Sequence, residues 1–172
     1  MKNKLGFTLL ELLVVVLIIG ILAGIALPQY RKVKEKAEAS QLLTLVKTFH
    51  EAQQRFYLIN NTFATNFDDL DIEFSGFKRS GCGSFSSFPK SDCMSDGKNV
   101  IFISTIYGIA SYALRGTGKY KYGGFMFQEE DNDIIPKNKL LCYRNNSICS
   151  LVLNCEVVGR KTSADYYYSC QF

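Results

Sequence analysis

Between Phe7 and Leu27 the chain holds 21 residues whose only polar side chains are Thr8 and Glu11. A helix rises about 1.5 Å per residue, so about 20 apolar residues cross the hydrocarbon of a bilayer. The run is therefore predicted as a membrane-crossing helix, and everything else must fold behind it. It is too long for the apolar stretch of an ordinary cleaved secretory signal, and no Ala-x-Ala closes it. Glu11 is the anomaly. A carboxylate at mid-bilayer costs about 2.5–3.5 kcal/mol on insertion scales, and less near an interface. Only about 6 Å of helix separates Glu11 from Phe7, so shallow depth relieves part of that cost. Two partners are open to it: its own helix N-terminus, typically for about 0.3–1 kcal/mol, or a positive charge on another molecule.

The apolar share of 47% is concentrated in this run, and residues 28–172 are enough to bury a core. The formal charge of +4 includes Lys2 and Lys4, so no nucleic-acid partner follows from it. Six cysteines stand at 82, 93, 142, 149, 155 and 170, all of them well beyond the apolar run. No Cys-x-x-Cys occurs and His50 is the only histidine, so zinc spacings are missing. Disulfides in an oxidising compartment are the expectation, which puts the C-terminal domain outside the cytoplasm. Basic residues do not help to orient the span. Lys2 and Lys4 precede it, but Arg31, Lys32, Lys34 and Lys36 follow it closely.

A short basic leader ends in Gly6, an aromatic residue follows, and Glu11 comes four residues after that. KNKLG-FTLLELLVVVLIIGILAGIALPQYRK resembles the N-terminal signature of type IV pilins and of the pseudopilins of type II secretion, through Gly6, Phe7, Thr8, Leu9, Glu11 and Pro28. The match is close over about the first 30 residues and loose beyond. The resemblance implies that a membrane prepilin peptidase cuts between Gly6 and Phe7 and methylates the new amine of Phe7. It also implies that Glu11 pairs with that amine on a neighbouring subunit in a filament. The implied partners are further copies of the chain, the peptidase, an assembly platform and, before assembly, inner-membrane lipid; after assembly the chain would lie in a pilus or periplasmic pseudopilus.

Pro28 removes one backbone donor and crowds the carbonyl of Gly24, but helical periodicity continues past it. Gly20, Gly24 and Pro28 share an i, i+4 spacing, which suits close helix packing or a point where the helix loosens. Tyr30, Val33, Ala37, Leu42, Leu45, Val46, Phe49, Ala52, Phe56 and Ile59 form a core-facing stripe, with Lys34, Glu38, Lys47, Glu51 and Arg55 facing outward. Asn60-Asn61 should stop the helix, and His50 is expected at a solvated or edge position.

The expected fold class is α+β, and the resemblance implies the type IV pilin kind: a long N-terminal helix on an antiparallel sheet of about four strands, with a disulfide-stapled tail. The divisions are a cleaved leader (1–6), a membrane or filament-core helix (7–28), the amphipathic half of that helix (29–60) and a head (61–172). The head divides into a loop region at 61–98 with a short helical turn in 63–72, a sheet at 99–143 and a Cys-rich tail at 142–172. Strands are expected over 100–107, 109–114, 123–128 and 139–143, their apolar face against the helix. Cysteine pairing is open, with local bridges Cys82–Cys93, Cys142–Cys149 and Cys155–Cys170 favoured. Glu129-Glu-Asp-Asn-Asp133 reads as a solvated turn rather than a calcium loop. Lys119-Tyr-Lys-Tyr122 reads as an exposed hairpin turn rather than a nucleic-acid surface. No nucleophile, base and orienting residue can be grouped, so no enzyme, metal or cofactor is expected. A structural subunit of a type IV pilus, serving such ends as motility or adhesion, is the leading reading. A type II secretion pseudopilin is the alternative, and a membrane-anchored periplasmic binding domain a third.

Overall fold

A computed structural model describes residues 7–79, 92–105, 108–118, 120–130, 137–143, 146–156 and 167–171, with the side chains of 146, 147, 154–156 and 167–171 outside that description. The leader and Cys82 also lie outside it. Helix α1 runs from Leu9 to Asn60, passing through Pro28 without a break. Asn61 adopts φ 56° and donates its N–H to Tyr57 O at 2.8 Å, a left-handed cap that ends the helix where the Asn pair stands. The chain divides into two compact units, Met1–Ala37 and Glu38–Phe172.

In the first unit the large apolar side chains of α1 are exposed, including Tyr30 at 68% and Val33 at 66%. The expected core stripe therefore starts later than its periodicity indicates. Tyr30, Val33 and Ala37 are exposed, and burial begins at Ala39. From there Leu42, Val46, Phe49, Ala52 and Gln53 are fully buried, while Ile59 is exposed again. Periodicity records which face is apolar and not what lies against it.

Among the described residues of the second unit, α1 is followed by a 3-10 turn at Phe67–Asp69 and eight strands. These are β1 (Lys78–Arg79), β2 (Asp92–Ser95), β3 (Asn99–Ser104), β4 (Ala110–Arg115), β5 (Gly124–Gln128), β6 (Lys139–Tyr143), β7 (Asn154–Glu156) and β8 (Tyr167–Gln171), with the short helix α2 (Asn146–Cys149) between β6 and β7. They make one antiparallel sheet in the order β1-β2-β3-β4-β5-β6-β8-β7. The four expected strands are its centre, β3 to β6. The sheet is wider than expected because β1 and β2 add to one edge, inside the supposed loop region, and β7 and β8 to the other. Both additions are short and carry no apolar alternation long enough to signal a strand.

Alternate residues point to opposite faces of a strand. On one face Ile101, Ile103, Ala113, Phe125, Phe127, Leu140 and Cys142 join the buried residues of α1. On the other, Phe102, Tyr112, Leu114, Met126, Leu141 and Tyr143 form a second buried cluster with Cys93. The sheet is thus buried on both faces, where one apolar face was expected. Gly124 is required where β5 pairs with β4, because a Cβ there would clash with Ala113 O and the Leu114 backbone.

Cys142 at the end of β6 is bridged to Cys149 in α2. Cys93 in β2 is also disulfide-bonded, and the expected partner Cys82 lies outside the described residues. Cys155 and Cys170 stand directly opposite each other in the β7–β8 register. A bridge between them falls on side chains outside the description.

Polar ties fasten α1 to the head. The side-chain amide of Gln53, fully buried, donates to Ala64 O (3.0 Å) and accepts from Ala64 N–H (2.9 Å). Arg55 grips Asp71 through Nε (2.6 Å) and Nη2 (2.8 Å), and these hydrogen bonds hold the Asp71 carboxyl below its ordinary pKa. Glu38, expected to face outward, instead receives Lys98 Nζ at 2.6 Å and Arg115 Nη2 at 2.9 Å. Its partners lie in β4 and the turn before β3, far off in sequence, so helical spacing alone could not reveal the pairing.

Replacing Gln53 by Ala strands a buried donor and acceptor on Ala64, each costing about 1–3 kcal/mol. Chemical denaturation of the Gln53→Ala protein should show a loss of at least about 2 kcal/mol relative to wild type. A change below 0.5 kcal/mol, of the order seen for ordinary surface substitutions, would refute the tie.

Candidate functional site

The start of α1 is built from four residues. Thr8 precedes the first helical residue and Glu11 is the third position of the first turn. Glu11 Oε2 accepts from Thr8 N–H (2.8 Å) and from Thr8 Oγ1–H (2.8 Å), while Glu11 N–H donates to Thr8 Oγ1 (3.3 Å). This reciprocal pair is a capping box, which satisfies orphaned backbone donors at a helix start. The Thr-x-x-Glu spacing was present in the sequence as a signal for it. Of the two partners open to Glu11, its own helix start is the one the structure displays.

Glu11 Oε1 has no hydrogen-bond partner among the described residues. Phe7, four residues before Glu11 and just ahead of α1, is 80% exposed. The start of the apolar helix therefore presents a carboxylate oxygen, with an exposed aromatic residue four positions earlier in the chain. Further along, Gly20 and Gly24 have no atom within 4 Å of where a Cβ would stand. The backbone is open there to close approach by another helix.

A second cluster lies in the head. Glu129, immediately after β5, is fully buried. His50 Nδ1 donates to its Oε2 at 2.7 Å, Gln54 Nε2 donates to the same oxygen at 3.1 Å, and Ser111 Oγ donates to Oε1 at 2.7 Å. The His50 ring stacks on Phe127, centroids 4.1 Å apart. Two expectations are corrected here. His50 is half-buried and engaged, and Glu129 is no part of a solvated turn; residues 131–133 of the acidic run lie outside the described residues. Sequence reasoning missed the cluster because its members are 79 and 18 residues apart. As chemistry it is a tie between α1, β4 and β5. Ser111 donates to the carboxylate rather than to the imidazole, which is not the order that activates a nucleophile.

Comparison with known proteins bears on the first of these sites. Residues 1–27 match the family model described as the prokaryotic N-terminal methylation motif. The chain thus carries a prepilin-type N-terminus on an α+β head. It is similar to the type IV major pilin protein PilA of Myxococcus xanthus, 46% identical over 56 residues, which cover 33% of this chain and 25% of the relative. It is also similar to type II secretion system core protein G of Aeromonas hydrophila, 36% identical over 70 residues, 41% of this chain and 49% of the relative. A fimbrial protein of Pseudomonas aeruginosa is 35% identical over 81 residues, 46% of this chain and 53% of the relative. The matched stretches span from a quarter to about half of these relatives' length. No solved structure matches the chain.

Truncating Glu129 to Ala leaves the donors of His50, Gln54 and Ser111 without their acceptor. The loss should be about 3 kcal/mol, against about 1 kcal/mol for Ser111→Ala, which removes one partner only. Equal melting temperatures for the two variants would show that the carboxylate is not the hub of the cluster.

Proposed function

We propose that this chain is a structural, non-enzymatic subunit of a type IV pilus, held in the inner membrane and assembled into a helical filament. The observation that carries the proposal is the pairing of a methylation motif with an exposed apolar helix. The motif covers residues 1–27, and the most apolar stretch of α1 buries nothing within its own chain. Such a helix needs lipid before assembly and other copies of itself afterwards. A peptidase cut between Gly6 and Phe7 places a positive amine one turn before Glu11. With Oε2 engaged in the capping box, Oε1 remains for the amine of a neighbouring copy. In a filament core neither charge has water, so each favours the register that brings the other close. Gly20, Gly24 and Pro28 supply close approach and a weak point in the same helix. Platform and peptidase are separate chains in this reading.

The second reading is a pseudopilin of a type II secretion system. It is supported by similarity to the core protein G, of which the matched stretch covers a larger share than it does of PilA. Both readings use the same cut and the same Glu11.

Gly6→Ala should leave unprocessed precursor, visible as a slower band and an unmethylated N-terminus by mass spectrometry. Processing to the wild-type mature length would refute the cut. Glu11→Ala should insert into membranes but yield few or defective fibres, counted by electron microscopy of sheared material. Fibres of wild-type abundance would remove the intermolecular role and leave only the cap.

A further inference from the structure

Resting on the membrane reading above, we infer that Arg31, Lys32, Lys34 and Lys36, with Tyr30, form an interfacial collar that binds anionic phospholipid headgroups on the side of the membrane facing the head. The four cations follow the apolar run within nine residues of Leu27. Two basic residues, Lys2 and Lys4, precede the run, so the charge bias opposes the usual preference for cations on the cytoplasmic side. Four cations so placed suit an anionic partner at the membrane surface.

The placement identifies it. Arg31, Lys32, Lys34 and Lys36 are all exposed, as is Tyr30. With 21 residues spanning the hydrocarbon, these positions fall at the second membrane surface. Tyrosine is enriched at that depth, where its ring meets the acyl boundary and its hydroxyl the headgroups. At roughly 100° per residue, the four cations cover about 200° of the helix circumference, and Glu35 is the one acid among them. Tyr30, Val33 and Ala37 occupy the remaining arc. Headgroups surround an inserted helix and can reach cations over so wide a sector, with long basic side chains bending toward the phosphates. A single protein face cannot. Clusters of basic residues next to a membrane span attract anionic lipid within about a Debye length of the surface.

The chain contains no tryptophan, so Tyr30→Trp introduces a unique fluorophore inside the collar. The full-length Tyr30→Trp protein is reconstituted into vesicles containing brominated phosphatidylglycerol or brominated phosphatidylcholine at equal mole fraction. The anionic quencher should show about threefold or greater preference for the indole at low salt, weakening in 0.5 M NaCl as charge attraction is screened. Adding Arg31→Gln, Lys32→Gln, Lys34→Gln and Lys36→Gln should bring the two lipids to equality. Equal quenching by both lipids in the otherwise unaltered collar overturns the inference while leaving the membrane reading standing. Quenching by neither means that the helix is not inserted, and it is then the membrane reading that fails. If the two lipids quench equally yet the four Gln substitutions abolish fibres, the collar serves carboxylates on neighbouring subunits, and the lipid assignment is wrong.

Discussion

An apolar helix surface with none of its own chain against it constrains everything else in this protein. Fourteen aliphatic side chains from Leu9 to Leu27 are 43–80% exposed. Leaving each about half exposed forfeits about 1 kcal/mol, in total on the order of 10 kcal/mol. That equals the entire stability of an ordinary domain. That is the gain open to any apolar partner that covers this stretch of helix. Lipid and identical helices both supply apolar cover, and a helix that satisfies its own backbone hydrogen bonds can move from one to the other without exposing polar groups. Glu11 is tolerable in either setting because Thr8 already engages one of its oxygens.

The head solves a different problem with the same helix. From Ala39 onward α1 is covered by the protein's own sheet, and the packing is reinforced by polar ties that apolar contact alone does not provide. Gln53 binds the returning chain at Ala64, and Glu129 gathers donors from α1 and β4. Hydrophobic burial is non-directional and leaves a helix free to slide or rotate on a sheet. Buried groups that must find specific partners remove that freedom, since every wrong register leaves a donor or carboxylate unsatisfied. The Cys142–Cys149 bridge fastens β6 to α2 in the same sense.

Much of this was legible from residues alone, and the exceptions share a cause. The apolar run, the Asn60-Asn61 stop and the four central strands are local signals, written within about ten residues of themselves. The Thr8–Glu11 box is equally local, although its charge drew more notice than its spacing. What escaped notice depends on distant partners. Glu38 is an outward residue by helical phase until Lys98 and Arg115 arrive from the sheet. His50 is an unremarkable helix residue until Glu129 and Phe127 fold against it. Strand β2, Asp92-Cys-Met-Ser, has too little apolar character to be a strand alone and becomes one by pairing with β3. The extent of the core stripe failed for the related reason that period tells orientation, not company.

The filament reading gains physical sense from the contrast between these two halves of α1. Apolar helices packed side by side are attracted almost equally at many axial offsets, because dispersion and small-residue contacts vary little as one rod slides along another. An ordered fibre needs a term that varies sharply with offset. In the filament reading, one carboxylate among some twenty apolar residues would provide it. In that reading Oε1 of Glu11 meets an ammonium at the right stagger, and at any other stagger the two charges are buried apart, with only the Thr8 cap on Glu11. A single buried polar position fixes register in coiled coils by the same logic, lowering stability while raising specificity. On this argument the cost of holding an acid in an apolar helix is offset not by tighter packing but by the exclusion of every other way to pack.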